Sequence, residues 1–507
     1  RRPVRRDRWH ARFSGTAGAG IPEGSGDLEI STGYRYGGVL VGVRARDFDD
    51  YDAPDGLVPN SGWQDRGVRL AWDHDAGSTT IAAGWQSDFG RDQGRPRSDT
   101  DIIQAAVPKD DSHRLTTSIV RPKLWGLHQV RIDGFLGSAS QQVTQDRLAT
   151  PGRPGTLEAS DLEFKDAQLR VTAESRTAAV TWRGGLDVQG RYDLHALDTS
   201  STYTTAGAIT ASTQVVSVES ARRWDTGLFV EADAPIGDRW QASGGVRVDT
   251  VASHNRGGYF GSRSVTNTAV AGLVALSARV AGPLTVTAQA ARGFRDPLLS
   301  DRFYRGPVGR GVIEGNPDLE PETSRQFDLT ARLVTKAARL SFAVYDYRIH
   351  DLIERYTAGP NLFLFRNRGR AIVRGVEVEG QWPLGRGFAL EIGGQVSDGH
   401  DADGDEPIDD IAPESASVLF RYEPARASYS GYLRIAATAE RDEPGPSEVA
   451  TPGYTLVDLG GRWRLARSLE VRAVFRNLFD AAYAASAGPR YVLAPGRHGS
   501  ITLAVQF

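Results

Sequence analysis

The chain has 507 residues, with 60 Lys+Arg against 63 Asp+Glu and a net charge of −3, so bulk charge gives no argument for a nucleic-acid partner. With no cysteine it can build neither a disulfide framework nor a thiolate metal site, and it also lacks methionine. Its most apolar charge-free run, 264–278, is shorter than the ~20 mostly apolar residues a spanning helix needs, which leaves a soluble β protein or a membrane barrel, whose mark is alternation.

Period-two alternation recurs from end to end. Rising strands are expected near Trp9, Val39, Thr79, Leu127, Ala178, Trp240, Leu284, Arg339, Phe388, Ser428 and Leu469, each with a returning partner. In 326–333, Phe327, Leu329, Ala331 and Leu333 share a face; in 455–465, Val457, Leu459, Trp463 and Leu465 do; in 469–475, Leu469, Val471, Ala473 and Phe475 do. The last segment, 498–507, sets Ile501, Leu503, Val505 and Phe507 against Thr502, Ala504 and Gln506. Short turns at 35–38, 76–77, 236–239, 281–283, 385–387 and 466–468 alternate with long polar segments at 51–62, 91–112, 143–163, 305–322, 397–413 and 484–497. Eleven hairpins give an all-β, 22-stranded antiparallel transmembrane β-barrel, one domain over 1–507, with short periplasmic turns and long extracellular loops. A soluble all-β protein also alternates. It does not explain the asymmetry of the two rims or the lack of linkers, and no fixed-period repeat suggests a propeller.

Four stretches resemble one family, the TonB-dependent outer-membrane receptors. They are "GFRDPLLSDRFYRG…EGNPDLEPETS" (293–324), "FRNRGRAIVRGVEVEG" (365–380), "FRNLFDAAY…PGR…F" (475–507) and "YDAPDGLVPNSG" (51–62). One departure is Asp296, where the family usually has Ala before the Pro. The resemblance implies a barrel with a plugged lumen that takes up a scarce nutrient chelate, a ferric siderophore or a cobalamin-like one. Its N-terminal plug and TonB box are absent from this chain, so the plug is expected to be cleaved or omitted, or to be a separate polypeptide, or the barrel works without one. The alternative is a plugless passive porin or a structural barrel in an outer-membrane assembly. Expected partners are outer-membrane lipid and lipopolysaccharide, a separate plug polypeptide, TonB acting only through a plug, and the barrel assembly machinery. That machinery is expected to read Phe507.

No catalytic constellation stands out. The nine histidines are scattered, and none forms a His-Glu-x-x-His motif or a nucleophile elbow; the chain is expected not to be an enzyme. Asp47, Asp49, Asp50, Asp52 and Asp55 crowd one outer loop, and a second acidic run spans 398–410. Oxygen-rich flexible loops suit Ca²⁺, the one candidate cofactor, against the plainer reading of a solvated rim. By resemblance to haem receptors a His is expected between Pro297 and Asn316, and none is there. That loop carries Arg302, Phe303, Tyr304, Arg305 and Arg310 instead, with Arg355, Arg366, Arg368 and Arg370 near it. This basic and aromatic set is the candidate site for an anionic ligand; contacts to lipid headgroups or neighbouring loops are the competing reading. Glu377 and Glu379 are expected to line the lumen, since facing lipid would be costly.

Overall fold

A computed structural model of the chain describes residues 9–307 and 311–507. Its barrel strands are, in order, β1 (Trp9–Ala19), β2 (Glu23–Tyr34), β3 (Gly37–Phe48), β4 (Trp63–Ala76), β5 (Thr79–Arg95), β6 (Ile103–Pro122), β7 (Gln129–Arg147) and β8 (Gly155–Arg176). There follow β9 (Thr181–Tyr203), β10 (Ile209–Ile236), β11 (Trp240–Asn255), β12 (Arg263–Ala281), β13 (Leu284–Arg295), β14 (Glu322–Val334), β15 (Arg339–Gly359) and β16 (Leu362–Gly385). The circle is completed by β17 (Phe388–Asp401), β18 (Ser415–Tyr422), β19 (Tyr429–Thr438), β20 (Tyr454–Ala466), β21 (Leu469–Arg476) and β22 (His498–Gln506). Each strand pairs antiparallel with its neighbours, and β22 returns to β1 through Arg12↔Gln506 to Ala19↔Gly499. The ladder therefore has no open edge in lipid, where an unpaired backbone group costs several kcal/mol. Phe507 extends it: its N–H donates to Ala11 O at 2.8 Å, and its ring stands exposed on the face shared by Ile501 and Leu503.

The register explains the alternation. Ile30, Val41, Leu70, Trp85, Leu115 and Leu136 line up across six strands and all face outward. One residue along, Glu29, Gly42, Arg69, Gln86 and Arg114 form the matching inward row. Arg69 reaches across Gly42 to pair with Glu29, and a Cβ on Gly42 would lie 2.5 Å from Arg69 Nε, so glycine there makes room for the pair. Inward pairs recur around the wall, including Arg44–Asp88 at 2.7 Å, Arg131–Asp133 at 2.6 Å and Arg191–Asp166 at 2.8 Å. The lumen is thus polar and internally neutralised, while the outside is apolar. Glu377 and Glu379 alternate with the outward-facing Val376 and Val378, which turns both glutamates inward.

Strand starts fall within three residues of the expected ones, but two expected loops are strand. Residues 91–112 and 143–163 lie mostly in β5–β6 and β7–β8. A spanning strand needs only ~9–11 residues, and β10 runs for 28. Above the membrane both faces of a strand meet water, so the hydrophobic alternation fades while the hydrogen-bond ladder continues. Polar sequence there reads as loop. The long rim carries 49–62, 296–321, 402–414, 439–453 and 477–497, whereas Gly77 (φ +65°) and Gly282 (φ +50°) sit in tight turns of the short rim. That conformation is costly for a residue with a Cβ.

Candidate functional site

Residues 296–307 and 311–321, after β13, fold into the barrel mouth. Asp301 caps its short helix α1 (Leu299–Phe303) by accepting from Leu298 N at 3.0 Å. A two-stranded hairpin follows, Arg305–Pro307 against Val312–Glu314, and the latter lies parallel to Leu362–Leu364 of β16. Arg305–Pro307 also packs against β7, β8 and β10 on the far wall. Leu299, Phe303, Tyr304 and Ile313 join Leu194, Ala196, Val218 and Ala221 in one apolar cluster, flanked by Phe164, Phe363 and Phe365. Burial of four such side chains stabilises by roughly 1.5–3 kcal/mol for each large one, enough to hold the segment across the mouth.

The exit is stitched to β16 by the motifs that carry the family resemblance. Asn316 Nδ2 donates to Phe365 O at 3.2 Å, and Asn316 Oδ1 accepts from Asp318 N at 3.0 Å. Asn367 Oδ1 accepts from Glu320 N and its Nδ2 donates to Glu320 O, each at 2.9 Å. Leu319 is buried between them. The Asn-Pro-Asp-Leu and Phe-Arg-Asn-Arg stretches are therefore two halves of one clasp.

At the outer rim, beside the β15–β16 hairpin tip, lies a cavity of about 870 Å³. Its lining includes Tyr51, Arg95, Arg97, Gln141, Arg355, Asn361, Phe363, Ser447, Arg490 and Tyr491, drawn from β5–β7, the β15–β16 hairpin tip and the loops 49–62, 439–453 and 477–497. The lining has four arginines and no carboxylate among the described residues. Arg97 and Arg490 share Asp99 just behind it, at 2.7 and 3.3 Å, and the Arg97 hydrogen bond holds the Asp99 carboxyl below its usual range. Arg355 lies 5.3 Å over the Phe363 ring. Tyr51 donates to Leu493 O at 2.8 Å, and burial pushes its phenol pKa up. Asn361 Oδ1 is shielded from water and has no hydrogen-bond partner among the described residues; an orphaned polar atom of this kind costs about 1–3 kcal/mol until something satisfies it. Below the floor a second cavity of about 790 Å³ opens toward the lumen and shares Gln141 and Val143 with the first.

The residues singled out from sequence are not gathered on one face. Arg302, Phe303 and Tyr304 are buried in the floor. Arg302 donates to Pro317 O at 2.8 Å and lies 3.9 Å from Asp296, whose Oδ2 accepts from Asn267 Nδ2 at 2.5 Å and whose Oδ1 lies 3.6 Å from Arg223. The unusual Asp296 is thus the counter-charge of a buried arginine. Arg305 is exposed, over the Tyr259 ring at 4.8 Å and 3.3 Å from Glu314. Arg310 lies outside the described residues. Arg366, Arg368 and Arg370 are neutralised by their surroundings: Arg368 contacts Glu354 at 2.8 Å, Asp401 at 2.7 Å and Glu406 at 3.0 Å, Arg366 contacts Glu354 at 2.9 Å, and Arg370 contacts Asp403 at 2.5 Å. The acidic run 398–410 is in part the partner of this arginine ladder.

In the other acidic loop, Asp50 accepts from the backbone N–H of Asn60, Ser61 and Gly62 at 3.0, 2.6 and 2.8 Å, while Asp47, Asp49, Asp52 and Asp55 are exposed. Among the described residues no three His, Cys, Asp or Glu side chains converge as a metal-binding group. Sequence reading missed Arg95, Arg97 and Arg490, which lie in segments far apart in the chain. Their one signal was that each arginine stands in or beside a Pro-rich outer segment, 95–97 and 489–495.

Residues 16–478 match the family profile described as "TonB dependent receptor-like, beta-barrel". The vitamin B12 transporter BtuB of Vibrio vulnificus is 26% identical over 218 residues, 42% of this chain and 34% of that protein. The chain spans less than half the length of the curated relatives it matches. Among solved structures, the copper transporter OprC superposes with a TM-score of 0.85 at 18% identity, over 100% of this chain and 82% of that one. The FrpB iron transporter of Neisseria meningitidis superposes with a TM-score of 0.75 at 13% identity, over 98% and 81%.

Proposed function

Because this chain belongs to the TonB-dependent receptor β-barrel family and resides in the outer membrane, we propose that it captures a scarce metal chelate from outside and passes it inward. The observation that carries this is the outer cavity of about 870 Å³, walled by several outer loops and by the tip of the β15–β16 hairpin. A volume of this order suits a ligand of drug-like or larger size. The relatives named above transport vitamin B12, copper and iron. A bare soft metal ion fits this chain poorly, since soft ions favour thiolate and thioether ligands and the chain has no Cys or Met. An iron chelate bound as a whole fits better, because the cavity offers guanidinium, phenol and amide groups to the chelator.

In this reading a plug, joined to the barrel or supplied as a separate polypeptide, fills the polar lumen and relays the pull of TonB. The inward ion-pair ladders offer such a domain a hydrated wall of mixed charge. The test is uptake of radio-iron chelates by host cells lacking the gene and complemented with the full-length protein, with and without a protonophore. Uptake that depends on both the protein and the proton gradient is expected. Gradient-independent flux, together with a large steady conductance of the native complex in planar bilayers, would establish a passive pore instead.

A further inference from the structure

The charge of the cavity selects among chelates. Arg95 and Arg355 line it from opposite stretches of the chain, one at the end of β5 and the other near the tip of the β15–β16 hairpin. Neither has a carboxylate partner among the described residues, in contrast to Arg366, Arg368 and Arg370, which are fully engaged. Arg97 and Arg490 add positive charge, and Asp99 behind the wall pairs with both. A loop-walled cavity lined by one sign of charge concentrates ligands of the opposite sign. Guanidinium groups pair with planar oxyanions through two parallel hydrogen bonds. Asn361 Oδ1, without a hydrogen-bond partner among the described residues at the same wall, can accept from ligand hydroxyls or amides.

Resting on the uptake reading above, we infer that the cargo is an anionic chelate whose carboxylate or catecholate oxygens are held by Arg95 and Arg355, and that neutral corrinoid-type or cationic chelates are disfavoured. Phosphates of lipopolysaccharide carry similar charge and reach the same rim, so the test separates the two sources.

The experiment titrates the purified full-length protein by tryptophan and tyrosine fluorescence with four probes of like size: ferric citrate, iron(III) tris-catecholate, a neutral ferric tris-hydroxamate and a cationic one. Lipopolysaccharide and inorganic phosphate are added as competitors. An anionic probe is expected to bind at least about tenfold more tightly than the neutral and cationic ones, with affinity falling as salt rises. Arg95→Gln and Arg355→Gln should each weaken it about tenfold, with Arg95→Lys and Arg355→Lys intermediate. Heat-modifiable gel migration confirms that each variant is folded. Equal or tighter binding of the neutral probe, unchanged affinity in both Gln variants, or binding of lipopolysaccharide with no chelate binding would each overturn the inference. Energised uptake of a neutral chelate, unaffected by Arg95→Gln, would overturn it and leave the transport reading standing. Charge-selective binding without energised uptake would do the reverse.

Discussion

The Tyr304 hydroxyl donates to Ser160 Oγ at 3.1 Å, joining a loop residue to β8 across 144 positions of sequence, with the Pro307 carbonyl equally close. Burial pushes the Tyr304 phenol pKa far up, so the group stays a neutral donor at any physiological pH. Tyr304→Phe keeps the apolar ring in its cluster but removes the hydrogen bond that ties the segment to Ser160 and the one to the Pro307 carbonyl. The floor should loosen by about 1 kcal/mol. Hydrogen exchange across 299–314 should speed up several-fold while β1–β6 stays unchanged; equal protection in both proteins would show that the bond is not what fixes the floor.

Asp296 neutralises an arginine that is 1% exposed. Asp296→Ala, which restores the residue usual in the family, leaves Arg302 buried without its ion-pair partner, a change that costs up to about 3–5 kcal/mol where no water enters. The expected result is protease cleavage within 299–314 in the variant alone. The double change Asp296→Ala with Arg302→Leu should recover much of the resistance, because removing both charges is far less costly than removing one.

Asp50 satisfies three consecutive amides of its own loop. Asp50→Ala should open 49–62 to proteolysis, with a cost of about 1–3 kcal/mol for the amides left unsatisfied. With this carboxylate already engaged and no convergent set of three acids among the described residues, a chelator such as EDTA should leave the native loop's digestion pattern as it was. A clear change on chelation would point to a metal held by these loops.

Asp99 titrates below the ordinary aspartate value because Arg97 bonds to its charged form. A lowered folded pKa stabilises above the unfolded value of 3.8 and is lost as pH falls through the folded one. Exchange protection of 96–102 and of the Arg490 loop should therefore hold from neutral pH to about 4.5 and decline only below the unfolded value. Asp99→Asn should show the weakened state at every pH; a wild-type transition centred above pH 5 would assign the effect to another group.

How far the sequence could be read depended on what each pattern encodes. Outward apolar and inward polar residues alternate because one face meets lipid and the other water, so Ile30, Val41 and Leu70 could be placed from local pattern alone. The same logic failed at 91–112 and 143–163, where both faces are wet and strand and loop look alike. The Asn316 and Asn367 motifs were visible as words, but their joint purpose as a clasp was not, since 47 residues separate Glu320 from its partner Asn367.

By itself the sequence determined the number of strands and which face of each is apolar, because both follow from period-two alternation and turn length, and its family motifs pointed to the barrel. Only the tertiary structure decided which arginines remain available to a ligand. A charge is free or spent according to what lies within about 4 Å of it. Arg302 and Arg368 found Asp296 and Glu354, whereas Arg95 and Arg355 line one cavity with no carboxylate partner among the described residues. That outcome depends on how separate loops fold over the barrel, and no local stretch of residues records it.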